Sequence, residues 1–174
     1  MTVTKKRSDL FSKILVAATI VVILLFVCKL FFIDFYTVSG SSMEPTFHDG
    51  QQIFARKVGG ASRGDAVVIS GEEYAKKAGV YDEKIDLLFK RVIAVEGDVI
   101  SSVDGVVYLF YDGQQHVLEN ENYGGGQIDK MVIEIQKTVV PEGYVFVLGD
   151  NRNDSVDSRM FGCVKVSDIV AVCL

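Results

Sequence analysis

A long apolar run near the N-terminus decides what kind of protein this chain can form. Residues 14–33 form a stretch of twenty side chains that only Thr19 and Lys29 interrupt as polar groups. At a rise of about 1.5 Å per residue, a helix of this length spans roughly 30 Å, the thickness of a bilayer's hydrocarbon core. Lys29 lies near the outer end, where its long stem can reach the interface. The run therefore predicts a transmembrane helix over 14–33.

A cleavable signal peptide is the main alternative for the same run. Such a peptide has a short apolar core followed by small residues at its cleavage site. Here the apolar run is longer, and it ends in the bulky side chains of Phe31, Phe32 and Ile33. Phe35 and Tyr36 follow, and aromatic residues of this kind collect at membrane–water interfaces. The sequence therefore favours a retained anchor.

The charges on either side of the run predict its orientation. Residues 1–13 carry four basic side chains against one acidic side chain, a net charge of +3. Positive flanks stay in the cytoplasm, so the rest of the chain is expected outside it, at the cell membrane. Residues 34–174 carry 13 Lys and Arg against 22 Asp and Glu, a net charge of −9, and include no second run long enough to span a bilayer. An acidic domain of this kind offers no basic field for nucleic acid.

The chain after the apolar run has the pattern of an all-β domain. Stretches of β-branched and aromatic residues alternate with Gly-rich turn signals. Asp104-Gly105 and Asp112-Gly113 are typical of two-residue hairpin turns. We predict an antiparallel β-sheet domain over 34–174, with one short surface helix over 72–78. The predicted strands are 34–38, 52–57, 65–70, 87–95, 106–111, 131–135, 144–148 and 169–173.

The three cysteines are too few for a disulfide framework. Cys28 lies in the predicted anchor, which leaves Cys163 and Cys173 outside it. These two could pair in an oxidising compartment, but the sequence favours two small buried thiols. No Cys or His lies at metal-ligand spacing from either of them, so we expect neither a metal nor another cofactor.

Three blocks of the sequence carry candidate chemistry. They read SGSSMEPT over 39–46, LLFKRVI over 87–93 and GDNRNDSVDSR over 149–159. A serine hydroxyl such as that of Ser42 attacks a carbonyl only when a neighbouring base accepts its proton. Histidine is the usual base, but no Asp or Glu marks His48 or His116 as part of a triad. We therefore expect both histidines to lie on the surface or in loops.

A lysine can serve as the base instead, provided that its amine is kept neutral. This requires a pKa well below the usual value of about 10.4. On a strand, Leu88, Val92 and Ala94 would share the face of Lys90, and the opposite face is also largely apolar. A buried charge must be paired or neutralised. Arg91 cannot lose its proton and so needs an acidic partner, whereas Lys90 can become neutral.

Placed in this order behind an apolar segment, the three blocks resemble those of the type I signal peptidases. That family consists of membrane-bound serine proteases that use a Ser/Lys dyad to cut signal peptides from exported proteins. The resemblance covers most of the chain and is weakest over 98–140, where the family places its variable β subdomain. The length of this interval suits a small β cap. A single anchor with a short cap is most similar to the compact enzymes of Gram-positive bacteria.

The resemblance assigns roles to individual residues. Ser42 is the nucleophile, Lys90 is the general base, and Ser155 hydrogen-bonds and orients the lysine amine. The backbone N–H of Ser42 contributes to the oxyanion hole. Gly40 stands where some members place a second donor, a serine hydroxyl. The residues expected to support the site structurally are Gly40, Arg91, Asp150, Asp157 and Arg159, the last two as an ion pair.

The resemblance also implies a substrate and its partners. The family cleaves after Ala-x-Ala-like sites and holds the peptide as an added strand between two edge strands, here 35–38 and 87–90. The partners implied are preproteins that bear signal peptides, the lipid bilayer and the secretion translocon. Small residues require shallow apolar pockets, and the candidates to line them are Tyr36, Val38, Met43, Leu88 and Phe89.

Two other functions match parts of the pattern. A catalytically silent relative that assists the assembly of surface proteins would be expected to lack the serine or the lysine, and both are present. A self-cleaving Ser/Lys repressor has a distantly similar catalytic domain. It predicts an N-terminal DNA-binding domain, however, where this chain has an apolar run. The sequence therefore favours the peptidase.

Overall fold

A single long helix precedes an otherwise β-rich structure. The computed structural model describes residues 2–57, 59–80, 85–118, 122–123, 126–127 and 133–174, with side chains except in 2–10, 28–31, 122–123 and 126–127. Helix α1 spans Thr2–Phe31, and its side chains over 11–27 are all exposed. Among the described residues, no helix is both long enough and apolar enough to span a membrane. The side chains of residues 28–31, which belong to the predicted span, are not among those described.

Short strands are the main regular elements of the remaining structure. In chain order, the elements after α1 are β1 (Ile33–Thr37), β2 (Gln52–Arg56), β3 (Ala66–Ser70), α2 (Glu72–Lys77), β4 (Leu87–Val95), β5 (Val99–Val103), β6 (Val106–Tyr111), β7 (Gln114–Leu118), β8 (Asn122–Tyr123), β9 (Gly126–Gln127), β10 (Thr138–Val139), β11 (Tyr144–Leu148), α3 (Ser158–Phe161), β12 (Val164–Lys165), a 3₁₀ turn (Val166–Asp168) and β13 (Ile169–Cys173).

Seven strands form one antiparallel sheet in the order β1-β2-β13-β3-β4-β11-β12. Because every neighbouring pair is antiparallel, β1 and β4 run in the same direction although three strands lie between them. β3 pairs with β4 from Leu87 to Arg91. β11 pairs with β4 only from Arg91 to Val95. On that side, residues 87–90 have no partner strand among the described residues, so the first part of β4 has an open edge.

A second antiparallel sheet has the order β10-β5-β6-β7, and its strands all come from the interval 98–140. Two Asp-Gly turns connect β5 to β6 and β6 to β7. The φ angles are 52° and 76° at Asp104 and Gly105, and 52° and 73° at Asp112 and Gly113. Positive φ at both central residues is the geometry of a type I′ turn, which Asp-Gly favours. Both predicted hairpin turns are confirmed.

Strand β4 lies between two apolar clusters and is buried on both faces. Val92 belongs to a cluster with Tyr74 of α2 and Phe161 of α3. Ile93 belongs to another cluster with Ile100 and other residues of the second sheet. The middle of β4 is thus shielded from water, as the sequence predicted, and a charge placed there must be paired or neutralised.

The prediction of an antiparallel, all-β domain is confirmed. Seven of the eight predicted strands and the helix at 72–78 are present, with ends displaced by at most one residue. The strand predicted at 131–135 is wrong for 133–135, while 131–132 lie outside the described residues. The reason is that Ile135 is held by one residue rather than by a ladder. Its N–H donates to Ser102 Oγ at 2.6 Å, and its carbonyl accepts from the Ser102 N–H at 3.0 Å.

The two cysteines outside α1 are free thiols. Cys163 and Cys173 are half-buried and pack against different apolar clusters. Burial raises the pKa of both thiols, which makes them poor nucleophiles. The sequence prediction of two unpaired thiols is confirmed, although neither is fully buried.

Candidate active site

Ser42 and Lys90, which are 48 residues apart in the sequence, meet at the open edge of β4. Lys90 Nζ lies 2.7 Å from Ser42 Oγ, within hydrogen-bond distance. Lys90 projects from β4 and is only 3% exposed, while Ser42 is half-buried in the loop after β1. The structure therefore brings together the serine and the lysine that the sequence singled out.

Neither histidine takes the place of Lys90 beside Ser42. The His48 side chain is 70% exposed, and its Nδ1 lies 3.9 Å from a carboxylate oxygen of Glu44. His116 lies on β7 in the second sheet, where its ring stacks on Tyr111 at a centroid distance of 3.9 Å. His48 thus agrees with the expectation of a surface or loop histidine, whereas His116 is half-buried on a strand.

Burial lowers the pKa of Lys90 from 10.5 to about 8, because desolvation disfavours the ammonium form. The negative charges of Asp157 and Asp150 oppose this shift, and the positive charge of Arg159 adds to it. A lysine with this pKa is partly neutral at pH 7 to 8. Lys90 can therefore accept a proton from the serine hydroxyl beside it.

Two buried ion pairs stand near the lysine. Arg91 binds both carboxylate oxygens of Asp150, at 2.7 and 2.5 Å, and donates a third hydrogen bond to the Gly64 carbonyl. Arg159 binds both oxygens of Asp157, at 2.7 and 2.6 Å. Each carboxylate is thus neutralised by its own guanidinium. Both carboxylates can therefore be buried without a positive charge on Lys90 to balance them.

The loop that carries Ser42 is tied to the segment after β11. The Asn151 N–H donates to the Ser42 carbonyl at 3.1 Å, and Asn151 Nδ2 donates to the Ser41 carbonyl at 3.2 Å. The Ser41 hydroxyl donates to Asp154 at 2.6 Å. Gly40, with a φ of 83°, makes the turn into this loop, which favours glycine because a Cβ would be strained there. These contacts fix the backbone of Ser42 against Lys90.

Gly149 provides the closest approach within the site. An added Cβ at this position would lie 2.5 Å from the Ser42 carbonyl oxygen and 2.5 Å from the Ser155 Cβ. The Gly149 N–H donates to Asp157 at 3.0 Å. Ser155 thus packs directly against Gly149. Its hydroxyl oxygen is buried and has no hydrogen-bond partner among the described residues, so the bond to Lys90 implied by the resemblance is not formed in this structure.

A cleft of about 230 Å³ opens between the end of β1 and the first residues of β4. Tyr36 and Val38 line one side of it, and Leu88 and Phe89 line the other, so four of the five residues predicted to contact substrate lie around one cleft. The cleft ends beside Phe89, which precedes Lys90 in the chain, so it leads to the catalytic candidates. An extended peptide in this cleft would lie between β1 and the open edge of β4.

Met43 does not belong to the lining of this cleft. It is 0% exposed and is the largest of the fully buried side chains among the described residues. We therefore correct its predicted role as a substrate contact. The position next to Ser42 in the sequence made it a candidate, but the side chain points into the protein interior.

No metal centre is found among the described residues, where no group of three or more His, Cys, Asp or Glu side chains could hold an ion. The acidic residues nearest to Lys90 are instead engaged by arginines. The chemistry open to this arrangement is nucleophilic attack by a serine hydroxyl with an amine as the base.

Comparison with known proteins identifies the family. The family model described as signal peptidase, peptidase S26, matches residues 11–173. The chain belongs to this family. It is 35% identical over 164 residues to signal peptidase I of Bacillus licheniformis, covering 90% of this chain and 81% of that protein. It is 31% identical over 170 residues to signal peptidase IB of Staphylococcus aureus, covering 90% and 83%.

A solved structure of a signal peptidase I from Enterococcus faecalis is also similar to this chain. It is 28% identical and covers 66% of this chain and 97% of that chain, with a TM-score of 0.43.

Several residues of this chain that shape the site were not found by sequence analysis. Asn151 and Asp154 hold the serine loop, and Gly149 packs against it. All three lie in the block GDNRNDSVDSR, which drew attention for its carboxylates and serines. Gly149, the first residue of that block, could have indicated the contact, since glycine is often used where two backbone segments approach closely.

Proposed function

We propose that this signal peptidase removes N-terminal signal peptides from exported preproteins, with Ser42 as the nucleophile and Lys90 as the general base. The observation that carries the proposal is the 2.7 Å contact between Ser42 Oγ and the buried amine of Lys90. Burial lowers the pKa of this amine to about 8, within reach of physiological pH. The names of the similar proteins, signal peptidase I and IB, support the choice of substrate.

The proposed reaction proceeds through an acyl-enzyme. Ser42 Oγ attacks the scissile carbonyl while Lys90 Nζ takes the hydroxyl proton. The tetrahedral intermediate then collapses as Lys90 returns this proton to the leaving amine, which frees the mature protein. A water molecule, deprotonated by Lys90, attacks the ester between Ser42 and the signal peptide, and Lys90 returns the proton to Ser42 Oγ as the signal peptide leaves. The Ser42 N–H is the proposed donor to the oxyanion, and Gly40 adds no side-chain donor to it.

The ion pairs and Ser155 are proposed to tune Lys90. Arg91 and Arg159 hold Asp150 and Asp157, so neither carboxylate is free to form an ion pair with the lysine. Ser155 has a buried hydroxyl with no partner among the described residues, and leaving such a group unsatisfied costs about 1–3 kcal/mol. We propose that this hydroxyl donates to the amine of Lys90 once the amine is neutral. That bond would orient the amine for the next proton transfer.

The substrate is proposed to bind as an extra strand in the cleft. The open edge of β4 at 87–90 and the edge strand β1 run in the same direction, toward Lys90 and Ser42. The residues before the cut would pair in parallel with both strands, since they too run toward the dyad. The side chains of Val38, Leu88 and Phe89 would then form shallow apolar pockets that favour Ala-x-Ala-like sites.

Helix α1 is proposed to anchor the enzyme in the cell membrane. Its described side chains over 11–27 are exposed, and apolar residues lie on all sides of it. A helix that is apolar all round requires an apolar environment. The net charge of +3 over residues 1–13 supports a cytoplasmic location for that end and an external one for the β domain. There the enzyme would meet preproteins as they leave the secretion translocon.

The experiment that tests the proposed function is cleavage of a preprotein by the full-length chain in detergent. N-terminal sequencing of the product should locate the cut after a small-x-small site at the end of the signal peptide. Cleavage elsewhere, or no cleavage of any preprotein, would contradict the proposal.

The pH dependence of cleavage tests the role of Lys90. The amine must be neutral to accept a proton, so kcat/KM should rise about tenfold per pH unit at acidic pH and level off above about pH 8. The measurement is kcat/KM for a fluorogenic signal-peptide substrate between pH 5 and 10. His48→Ala should leave this profile in place. A rise near pH 6.5 that disappears in His48→Ala would identify a histidine as the base.

The proposed topology can be tested with an external protease. Treatment of intact cells whose wall is permeable should digest residues after 34 and leave a fragment that contains the anchor. The result is read from immunoblots with tags at each end of the chain. Protection of the β domain until the membrane is lysed would show the opposite orientation.

A further inference from the structure

One residue of the segment between β11 and α3 holds two successive carbonyl groups of the serine loop. Asn151 Nδ2 donates to the Ser41 carbonyl at 3.2 Å, and the Asn151 N–H donates to the Ser42 carbonyl at 3.1 Å. The Ser41 carbonyl also accepts the Glu44 N–H at 3.0 Å, across a tight turn. A carbonyl oxygen has two lone pairs, so both acceptor positions of Ser41 are filled. The peptide group between Ser41 and Ser42 is therefore held from its carbonyl side.

The same peptide group carries the proposed oxyanion donor, the Ser42 N–H. The peptide bond is trans, and in a planar trans peptide the C=O and N–H bonds point in opposite directions. A Ser41 carbonyl that faces Asn151 therefore aims the Ser42 N–H away from Asn151. That N–H has no hydrogen-bond acceptor within the described part of the chain, so it is available to a bound substrate. Hydrogen bonds to the carbonyl also polarise the peptide group, which strengthens its N–H as a donor.

A second contact with the same segment does not involve this carbonyl. The Ser41 hydroxyl donates to Asp154 at 2.6 Å, and the Asp154 N–H donates to the Asn151 carbonyl at 3.1 Å. This bond holds the loop through a side chain. A peptide plane can still turn about its two flanking single bonds while the chain on either side moves little. The direction of the Ser42 N–H therefore depends on the bonds to the Ser41 carbonyl.

We infer that Asn151 is a positioning residue for the oxyanion hole, because its side-chain amide fixes the Ser41–Ser42 peptide so that the Ser42 N–H points at the scissile carbonyl oxygen. The inference rests on the proposed function, in which this N–H stabilises the oxyanion. Donors of this kind are effective because they are oriented before the reaction and need no reorganisation during it. Gly40 adds no side-chain donor, so the orientation of the backbone donor matters more.

The test removes the amide of Asn151 without adding a charge. Asn151→Leu has a similar branched shape and keeps the backbone bond to the Ser42 carbonyl, but it cannot donate to the Ser41 carbonyl. For a fluorogenic signal-peptide substrate, kcat should fall about ten- to hundredfold while KM changes less than about twofold. The pH profile should still level off above about pH 8, because the variant leaves the charges around Lys90 as they are.

An inhibitor that forms a tetrahedral adduct gives a readout specific to the oxyanion. A signal peptide that ends in an aldehyde binds when Ser42 Oγ adds to the aldehyde carbon, the serine proton passes to Lys90, and the aldehyde oxygen becomes the oxyanion. The same peptide ending in an alcohol binds without this adduct. The inhibition constant of the alcohol divided by that of the aldehyde, measured within each variant, cancels changes in peptide binding. This ratio should fall about tenfold in Asn151→Leu and in Asn151→Ala.

Ser41→Ala is the matched control, since it removes the bond to Asp154 and keeps the Ser41 carbonyl; its ratio should stay within about twofold of the unmodified enzyme. An unchanged ratio in the Asn151 variants, an equal fall in Ser41→Ala, or a displaced pH profile in the Asn151 variants would each overturn the inference. If the proposed function fails, the unmodified enzyme will cleave no signal peptide and will bind the aldehyde no more tightly than the alcohol. Should Asn151→Leu not fold, Asn151→Ala lacks the same bond and decides alone.

Discussion

Replacing Ser42 by alanine should reduce signal-peptide cleavage by at least about a thousandfold, and Lys90→Ala should have a similar effect. Ser42 Oγ and Lys90 Nζ are 2.7 Å apart and are proposed to act as one unit. Without the amine the hydroxyl has no base, and without the hydroxyl the amine has no nucleophile to activate. The double variant should therefore be no slower than either single variant, because effects within such a unit do not add.

The measurement is cleavage of a preprotein by purified variants in detergent, with circular dichroism to confirm folding. Lys90→Met belongs in the set because it keeps the length of the buried stem while removing the amine. Ser41→Ala is the matched control, since Ser41 is the neighbouring serine and is bonded to Asp154 rather than to Lys90; it should retain at least about a tenth of the activity. Near-normal cleavage by either dyad variant would contradict the assignment. An unmodified enzyme inactive on every preprotein would instead favour a catalytically silent relative.

Gly149→Ala is expected to lower activity about a hundredfold and to destabilise the protein by about 1–3 kcal/mol. The added methyl group would lie 2.5 Å from the carbonyl oxygen of Ser42, which is backbone and cannot rotate away. It would also displace Ser155, which packs against the same side of Gly149. Relief of these contacts requires the serine loop to move relative to Lys90. A shift of about 1 Å at a reacting group is enough for a loss of this size.

Gly60→Ala is the matched control for this variant. An added Cβ at Gly60 meets no atom within 4 Å, and this residue is not among the glycines with positive φ. Thermal unfolding and kcat/KM, measured side by side, separate the two effects of Gly149→Ala. A variant that loses stability but keeps full activity would show that Gly149 does not position Ser42.

The parts of the fold that follow from local chemistry could be predicted from the sequence. The two Asp-Gly pairs specify their turns through positive φ at two successive residues, so both hairpins were found. The strongly apolar strands were found because both faces are buried, and β4 is the clearest case. In each instance a residue and its immediate neighbours contain the physical reason for the structure.

The parts that depend on distant residues could not be predicted in this way. Strand β5 contains Ser101 and Ser102, and β7 begins with two glutamines, so neither has a strong apolar signal. The buried hydroxyl of Ser102 donates to Glu134 and accepts from the N–H of Ile135, more than thirty residues away. These hydrogen bonds satisfy the polar groups of a serine inside the sheet. They also fix residues 133–135, for which a strand was predicted, in a non-strand conformation. Spacing along the chain does not show such a partner.

The same distinction applies to the site. Arg91 required an acidic partner by its chemistry alone, but only the fold shows that the partner is Asp150. The motif around Ser42 marked that serine as the candidate nucleophile, yet it also suggested Met43 as a substrate contact. The direction of a side chain beside a turn depends on the packing of that turn, and Met43 points inward. Residue type thus indicated the chemistry, and packing determined which neighbours take part.

If preproteins bind at the open edge at 87–90 as proposed, the backbone conformation of the cleavage site is a requirement in addition to its side chains. Only extended backbone can complete a ladder there, because a helix has already bonded its own N–H and C=O groups. A preprotein whose first mature residues fold early would thus withdraw its cleavage site, so the cut depends on the timing of folding. In the proposed binding mode, the released signal peptide would keep an extended C-terminal end. It should therefore remain in the gap as a competitive product inhibitor until another process removes it.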